Sequence, residues 1–72
     1  MNHWYVYIVN KNGKMYVGMT SDLQNRLRQH DWPALLFSEN FENKERALSR
    51  EREIKGWSSR KKWDLIKGSS QQ

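Results

Sequence analysis

Five side chains along the chain have the chemistry that cleavage of a phosphodiester requires. They are two phenols, a guanidinium, an imidazole and a carboxylate: Tyr7, Tyr16, Arg26, His30 and Glu51. Such a reaction needs a group that positions or deprotonates water, a cation for the pentacoordinate phosphate, and a ligand for a metal ion. The five residues therefore predict a phosphoryl-transfer site if the fold brings them together at the border of one core.

A β-hairpin is predicted to hold the two tyrosines. Residues 4–9 and 14–19 are rich in aromatic and β-branched side chains, and Asn12-Gly13 between them is a strong hairpin signal. A two-residue turn there pairs Val9 with Tyr16 and Tyr7 with Gly18. Paired residues share a face, so the tyrosines are diagonal neighbours about 7–8 Å apart on one face, where the glycine leaves room. The opposite face is aliphatic and is the candidate core: Val6, Ile8, Met15, Val17 and Met19.

The first helix is predicted to carry Arg26 and His30. Ser21-Asp22-Leu23-Gln24 fits a capping box, so the helix begins near Ser21 and runs to about His30, where Asp31-Trp32-Pro33 stops it. Arg26 and His30 are four residues apart and share a helix face. This face borders the apolar stripe, so both side chains are expected to point into a site at the edge of the core.

Glu51 lies in the middle of an apolar stripe. Residues 34–41 predict a third strand, and Asn43 can cap a second helix over about 44–55, with Gly56 as its C′ residue. Ala47, Leu48 and Ile54 define the inner stripe of this helix, and Glu51 falls among them. An inward carboxylate costs several kcal/mol unless it is paired or binds a metal. One carboxylate with waters and a phosphate oxygen is a ligand shell that Mg²⁺ accepts.

Each of these residues also has a plain structural interpretation. Glu51 could pair with Arg26, or its helix could be rotated enough to expose it. Tyrosine is ordinary on a half-exposed strand, and Arg26 with His30 could be a solvated helix face. The four tryptophans are expected mainly to fill a small core.

The remaining elements complete an α+β fold. Ser58 or Ser59 can cap a third helix that ends near Ile66, with Trp63 and Ile66 on one side. The prediction is a three-stranded, mainly antiparallel sheet flanked by helices, in the order β-β-α-β-α-α. Residues 1–67 are expected to form one domain, and residues 68–72 a disordered polar tail.

Composition restricts the class of protein. The 72 residues contain no cysteine, which excludes disulfides and cysteine-based zinc sites. Thirteen Lys and Arg against eight Asp and Glu give a net charge of +5, which favours a polyanion such as nucleic acid, although many small basic proteins bind none. No apolar run has membrane-spanning length and no signal peptide is evident, so a cytoplasmic location is expected. The sequence sets no oligomeric state.

The ordered motifs of the chain resemble those of the GIY-YIG nucleases. Tyr5-Val6-Tyr7 and Tyr16-Val17-Gly18 resemble the paired half-motifs, and the segments 18–27 and 47–55, followed by Trp57 and Lys61-Lys62, continue the similarity. The resemblance covers residues 4–66. It is strongest to the small stand-alone bacterial members, which are similar to the N-terminal nuclease domain of an excision-repair nuclease.

The resemblance implies a metal-dependent DNA endonuclease that uses Mg²⁺ or Mn²⁺, with DNA repair or processing as the expected setting. One of Tyr7 and Tyr16 would position or deprotonate the attacking water, Arg26 would stabilise the phosphate, His30 would assist, and Glu51 would hold the metal. The implied DNA contacts are Gly18, Arg26, Arg28, Arg60, Lys61 and Lys62.

The chain departs from the family pattern at four places. Tyr5 stands where the first half-motif has Gly, and Met19 where some relatives have Lys. Only Asp31-Trp32-Pro33 separates His30 from the third strand, where most relatives have a longer basic loop, and an Asn beyond the third helix is missing. Candidate DNA contacts are lost with these segments. A catalytically weak DNA-binding or partner-binding module is therefore the main alternative, and a basic domain with no nucleic-acid role is a third.

Overall fold

Three antiparallel strands form one sheet, with the first strand in its centre. A computed structural model describes residues 3–31 and 33–70 of the chain. The elements are β1 (Trp4–Lys11), β2 (Lys14–Thr20), α1 (Leu23–Gln29), β3 (Ala34–Phe41), α2 (Lys44–Lys55) and α3 (Ser59–Ser70). The strand order is β2-β1-β3. The predicted α+β class and element order are confirmed; Trp32, part of the predicted helix stop, lies outside the described residues.

The β1–β2 turn has the backbone that a tight hairpin requires. Asn12 and Gly13 both have positive φ, 56° and 81°, as a type I′ turn demands. The Gly13 amide donates a hydrogen bond to Oδ1 of Asn10 at 3.1 Å. The register is the predicted one, with Val9 opposite Tyr16 and Tyr7 opposite Gly18.

The core lies between one face of the sheet and the helices α2 and α3. Val6 and Ile8 of β1 are completely buried there, and Met15, Val17 and Met19 of β2 pack around them, which confirms the predicted aliphatic face. The other buried members of the cluster are Phe37, Ala47, Ile54 and Ile66.

A bulge in β3 brings an extra side chain to this core. Ile8 pairs with Phe37 whereas Val9 pairs with Leu35, so Leu36 is the additional residue. As a result the consecutive residues Leu36 and Phe37 both contact the core, while Leu35 is exposed on the opposite face.

The helix ends differ from prediction at two caps. Asp22, one residue after the predicted Ser21, caps α1, because its Oδ1 accepts a hydrogen bond from the Asn25 amide at 3.1 Å. Asn43 caps α2 as predicted. Gly56 is the C-cap of α2 with a right-handed backbone (φ −79°), not a left-handed C′ residue.

The third helix is longer than the sequence predicted. Ser58 is its cap, since its Oγ accepts from the Lys61 amide at 3.2 Å, and the helix continues to Ser70 instead of ending near Ile66. Residues 68–70 are therefore helical where a disordered tail was expected; residues 71 and 72 lie outside the described part. Leu65, not Trp63, joins Ile66 against the core. None of the described helices is long and apolar enough to cross a membrane.

Candidate active site

Tyr7 is the buried centre of the candidate site. It lies on the central strand with 8% of its surface exposed, on the sheet face opposite Val6 and Ile8. Its ring passes directly over Gly18: a Cβ atom placed at Gly18 would lie 2.6 Å from Cζ of Tyr7 and closer still to its hydroxyl. The space that the sequence predicted above the glycine is therefore filled by the Tyr7 phenol.

Two groups of opposite charge act on this phenol. Burial raises the pKa of Tyr7 above its usual value, the Arg26 guanidinium lowers this pKa, and the Glu51 carboxylate raises it further. Burial is the largest of the three effects, so the phenol is protonated at neutral pH. Helix α1 and helix α2 thus each bring one predicted site residue close enough to Tyr7 to affect its ionisation.

A cleft on the same face brings the second tyrosine and the histidine to Tyr7. The cleft has a volume of about 310 Å³, and Tyr7, Tyr16 and His30 all line it. Tyr16 is 51% exposed, whereas Tyr7 forms a buried wall. The strand register places the phenols as diagonal neighbours, and His30 enters from the C-cap of α1. Three of the five predicted residues therefore share one water-accessible space, while Arg26 and Glu51 are connected to it through Tyr7.

Glu51 is sheltered from solvent but has a weak partner. Its side chain is 14% exposed, and Oε2 lies 3.4 Å from Nζ of Lys55, whose own side chain is 56% exposed. The two structural alternatives predicted for Glu51 were pairing with Arg26 and exposure by helix rotation, and the structure has neither. Ala47 and Ile54 on the same stripe are completely buried, as predicted.

Arg26 is a half-buried cation without a carboxylate partner. None of the ion pairs among residues 3–31 and 33–70 includes Arg26. The carboxylates in those pairs contact Arg50 or Lys55 instead. Arg28, two residues later, is exposed on the same helix. A guanidinium beside the cleft that is not neutralised by the protein is available for an anion.

The donor set around Glu51 fits a hard divalent cation. In the described part of the chain no three His, Asp or Glu side chains gather into a ready metal cage. Mg²⁺ usually keeps several waters and binds through one or two carboxylates together with substrate phosphates. A single sheltered carboxylate, whose one ion-pair partner among the described residues is an exposed lysine at 3.4 Å, meets that requirement.

The predicted DNA contacts on α3 lie apart from the tyrosine cleft. Arg60 and Lys61 are exposed, and Nζ of Lys61 lies 4.4 Å from the centre of the Trp57 ring. Lys62 lines a second cleft with Lys14 of the hairpin. No residue of the 60–62 cluster lines the first cleft.

Among the residues that border the tyrosine cleft, the sequence reasoning did not anticipate Lys11 and Pro33. Lys11 lines it from the hairpin turn, and Pro33 from the segment before β3. The alternation of β1 was a usable signal, since Lys11 is two residues after Val9 and four after Tyr7 and therefore falls on the tyrosine face. Pro33 carried no such signal, because its position depends on the short connection after α1.

Known proteins share both the motif and the fold. The GIY-YIG catalytic domain matches residues 3–34, the segment that contains both tyrosines, Arg26 and His30. A UPF0213 protein of Staphylococcus saprophyticus is 37% identical over 79 aligned positions, covering 92% of this chain and 96% of that protein. A UPF0213 protein of Staphylococcus aureus is 34% identical, with coverage of 93% and 98%.

A solved structure supports the same assignment. The solution NMR structure of a UPF0213 protein from Bacillus halodurans has a TM-score of 0.64 and 30% identity, covering 93% of this chain and 84% of that one. The alignments to the staphylococcal relatives run over 79 and 80 positions although this chain has 72 residues, so the relatives carry residues that it lacks. From the matched nuclease-type domain and the similarity over almost the whole chain, we conclude that this protein belongs to the UPF0213 family of small GIY-YIG proteins.

Proposed function

We propose that this protein is a metal-dependent endonuclease that hydrolyses a phosphodiester bond of DNA, in DNA repair or processing in the cytoplasm. The observation that carries the proposal is the environment of Tyr7. Its buried phenol is acted on by Arg26, which has no ion pair with a described residue, and by Glu51, which is sheltered from solvent. It also forms one wall of a cleft that holds Tyr16 and His30.

Each side chain has a role that follows from its exposure and charge. Tyr16 and His30 are accessible within the cleft and can hold the attacking water and accept its proton. The protonated phenol of Tyr7 donates a hydrogen bond to that water or to a phosphate oxygen. Arg26 stabilises the negative charge that develops on the phosphate. A Mg²⁺ or Mn²⁺ ion held by Glu51 would supply Lewis-acid polarisation of the phosphate and neutralise its charge.

The test is a cleavage assay on several forms of DNA. Supercoiled, branched and single-stranded DNA are each incubated with the protein and Mg²⁺, Mn²⁺ or EDTA. We expect nicking or cleavage with a divalent ion and none in EDTA. If no form of DNA is cut with either metal, the endonuclease proposal fails.

A second function is favoured by the residues that the relatives have and this chain lacks. Any DNA contacts among those residues would be absent here, which favours a protein that keeps the scaffold as a catalytically weak DNA-binding module. Filter binding at two salt concentrations separates this module from a basic domain with no nucleic-acid role, since contacts to phosphates make affinity fall steeply with salt. Binding with a steep salt dependence but without cleavage supports the module.

A further inference from the structure

A second cleft lies across the hairpin turn from the tyrosine cleft. It has a volume of about 380 Å³ and is formed between the tip of the β1–β2 hairpin and the first turns of α3. Its chemistry comes from Lys14, Lys62 and Trp63. No Asp or Glu side chain is among its lining residues, and neither lysine forms an ion pair with another described residue. This cleft, which we call the lysine–tryptophan cleft, therefore favours an anion.

Trp63 differs from the other tryptophans that the structure describes. Lys44 lies over the ring of Trp4, and both Arg50 and Lys61 lie over the ring of Trp57. Trp63 has no such cation among the described residues, is 39% exposed, and does not belong to the core cluster. Its indole face is thus available to a flat ligand, and an unpaired nucleobase is such a ligand.

Two lysines flank the hairpin turn, and one of them lines each cleft. Lys11 and Lys14 are directly opposed in the strand register, an arrangement that destabilises a sheet. Lys11 lines the tyrosine cleft, and Lys14 lines the lysine–tryptophan cleft. A polyanion that passes over the turn would contact both lysines and relieve their repulsion.

We propose that the lysine–tryptophan cleft binds a single-stranded segment of the DNA substrate next to the cleaved phosphate. Lys14 and Lys62 contact a backbone phosphate of that segment, and an unpaired base stacks on Trp63. In the interior of a double helix each base is already stacked on both sides, so only the two ends of a duplex can present a base face to the indole, whereas an unpaired strand can present one at every position. The inference rests on the proposed function for the identity of the polymer, and it adds a preference for DNA with an unpaired strand.

The first test measures binding in EDTA, where cleavage does not interfere. A fluorescent twelve-nucleotide single strand and a blunt duplex are titrated with the wild type and with the double variant Lys14→Gln/Lys62→Gln. The matched control is Arg46→Gln/Arg52→Gln, which removes two charges from exposed positions of α2 that line neither cleft. We expect tighter binding of the single strand by the wild type. The lysine variant should bind the single strand more weakly, and the slope of the logarithm of its binding constant against the logarithm of the salt concentration should become shallower by about 0.7 for each phosphate contact removed. The control should keep the affinity and the salt slope of the wild type.

The second test concerns the stacked base. Trp63→Ala should weaken binding of the single strand on the order of ten-fold and leave duplex binding unchanged. Trp63→Phe keeps a ring, so it should retain most of the affinity while losing the quenching of tryptophan fluorescence that the single strand causes in the wild type. This second variant separates stacking from damage to the fold.

Two results would overturn the inference. One is equal loss of affinity in the lysine variant and the arginine control, which would indicate a diffuse charge effect. The other is duplex binding as tight as single-strand binding together with unaltered quenching in Trp63→Phe. Neither result depends on cleavage. A wild type that never cuts DNA refutes the endonuclease proposal, whereas these binding results refute only the proposed role of the lysine–tryptophan cleft.

Discussion

The Tyr7 phenol occupies the space that a side chain at Gly18 would need. The two residues are directly paired across β1 and β2, and a Cβ at Gly18 would approach Cζ of Tyr7 to 2.6 Å. Since real Cβ contacts are essentially never shorter than 3.0 Å, even alanine at this position forces the ring to move. Glycine at position 18 therefore leaves the space that the phenol occupies beside the cleft.

Gly18→Ala should consequently lower stability and cleavage together. We expect a loss of about 1–3 kcal/mol, the usual cost of overpacking a filled site, and a larger fall in kcat than in affinity for DNA. Gly68→Ala is the matched control, because nothing lies within 4 Å of a Cβ there and the residue is in α3. This control should gain about 0.5–1 kcal/mol from helix propensity. Equal melting temperatures for the two variants would contradict the packing of Tyr7 on Gly18.

The raised pKa of Tyr7 predicts how stability should change at alkaline pH. Burial raises this pKa above 10.0, so the folded state holds the phenolic proton more tightly than the unfolded state. The stability that this provides is fully present below about pH 10 and is lost as the pH rises through the folded pKa. Absorbance of phenolate should show a late ionisation that Tyr7→Phe removes. If Tyr7→Phe instead removes amplitude at the ordinary phenol pKa, the phenol is not buried in solution.

The hairpin and the position of Glu51 could be predicted because they depend on local rules. Asn12-Gly13 fixes the turn, the turn fixes the register, and the register fixes which residues face Tyr7. Glu51 follows from helix periodicity, since Ala47 and Ile54 on its stripe are buried. The order of helices and strands followed from the same patterns of spacing.

The contacts between elements could not be predicted in this way. The position of the Tyr7 phenol over Gly18 depends on side-chain packing that periodicity does not specify. The burial of Leu65 in preference to Trp63 depends on how α3 is rotated against the sheet. The bulge that turns both Leu36 and Phe37 to the core has no signal in their residue types.

The basic residues at the start of α3 are expected to contribute to DNA binding without specificity. Changing Arg60, Lys61 and Lys62 together to Gln should weaken binding to all sequences alike and flatten the salt dependence. Lys61 also lies over Trp57, so a small loss of stability should accompany the change. Filter binding over a salt series measures both effects. Unchanged affinity and slope would show that the start of α3 does not contact DNA.

Glu51→Gln tests the central claim most directly, because it keeps the shape of the side chain and removes its charge. Lys55, which would lose its partner, is more than half exposed, so no buried charge is left unpaired. We expect metal-dependent cleavage to disappear while DNA binding is retained. The melting temperature should stay the same or rise. Glu53→Gln is the matched control on the exposed side of α2 and should cleave like the wild type.

The measurement is a melting curve beside a cleavage assay with Mg²⁺, Mn²⁺ or EDTA on the wild type and both variants. Loss of cleavage at an unchanged melting temperature is the result we predict. If Glu51 instead serves only the fold, removing its charge should lower the melting temperature, and metal-dependent cleavage should not depend on it. A Glu51→Gln variant that melts far below the wild type, beside a wild type with no metal-dependent cleavage, would contradict the account.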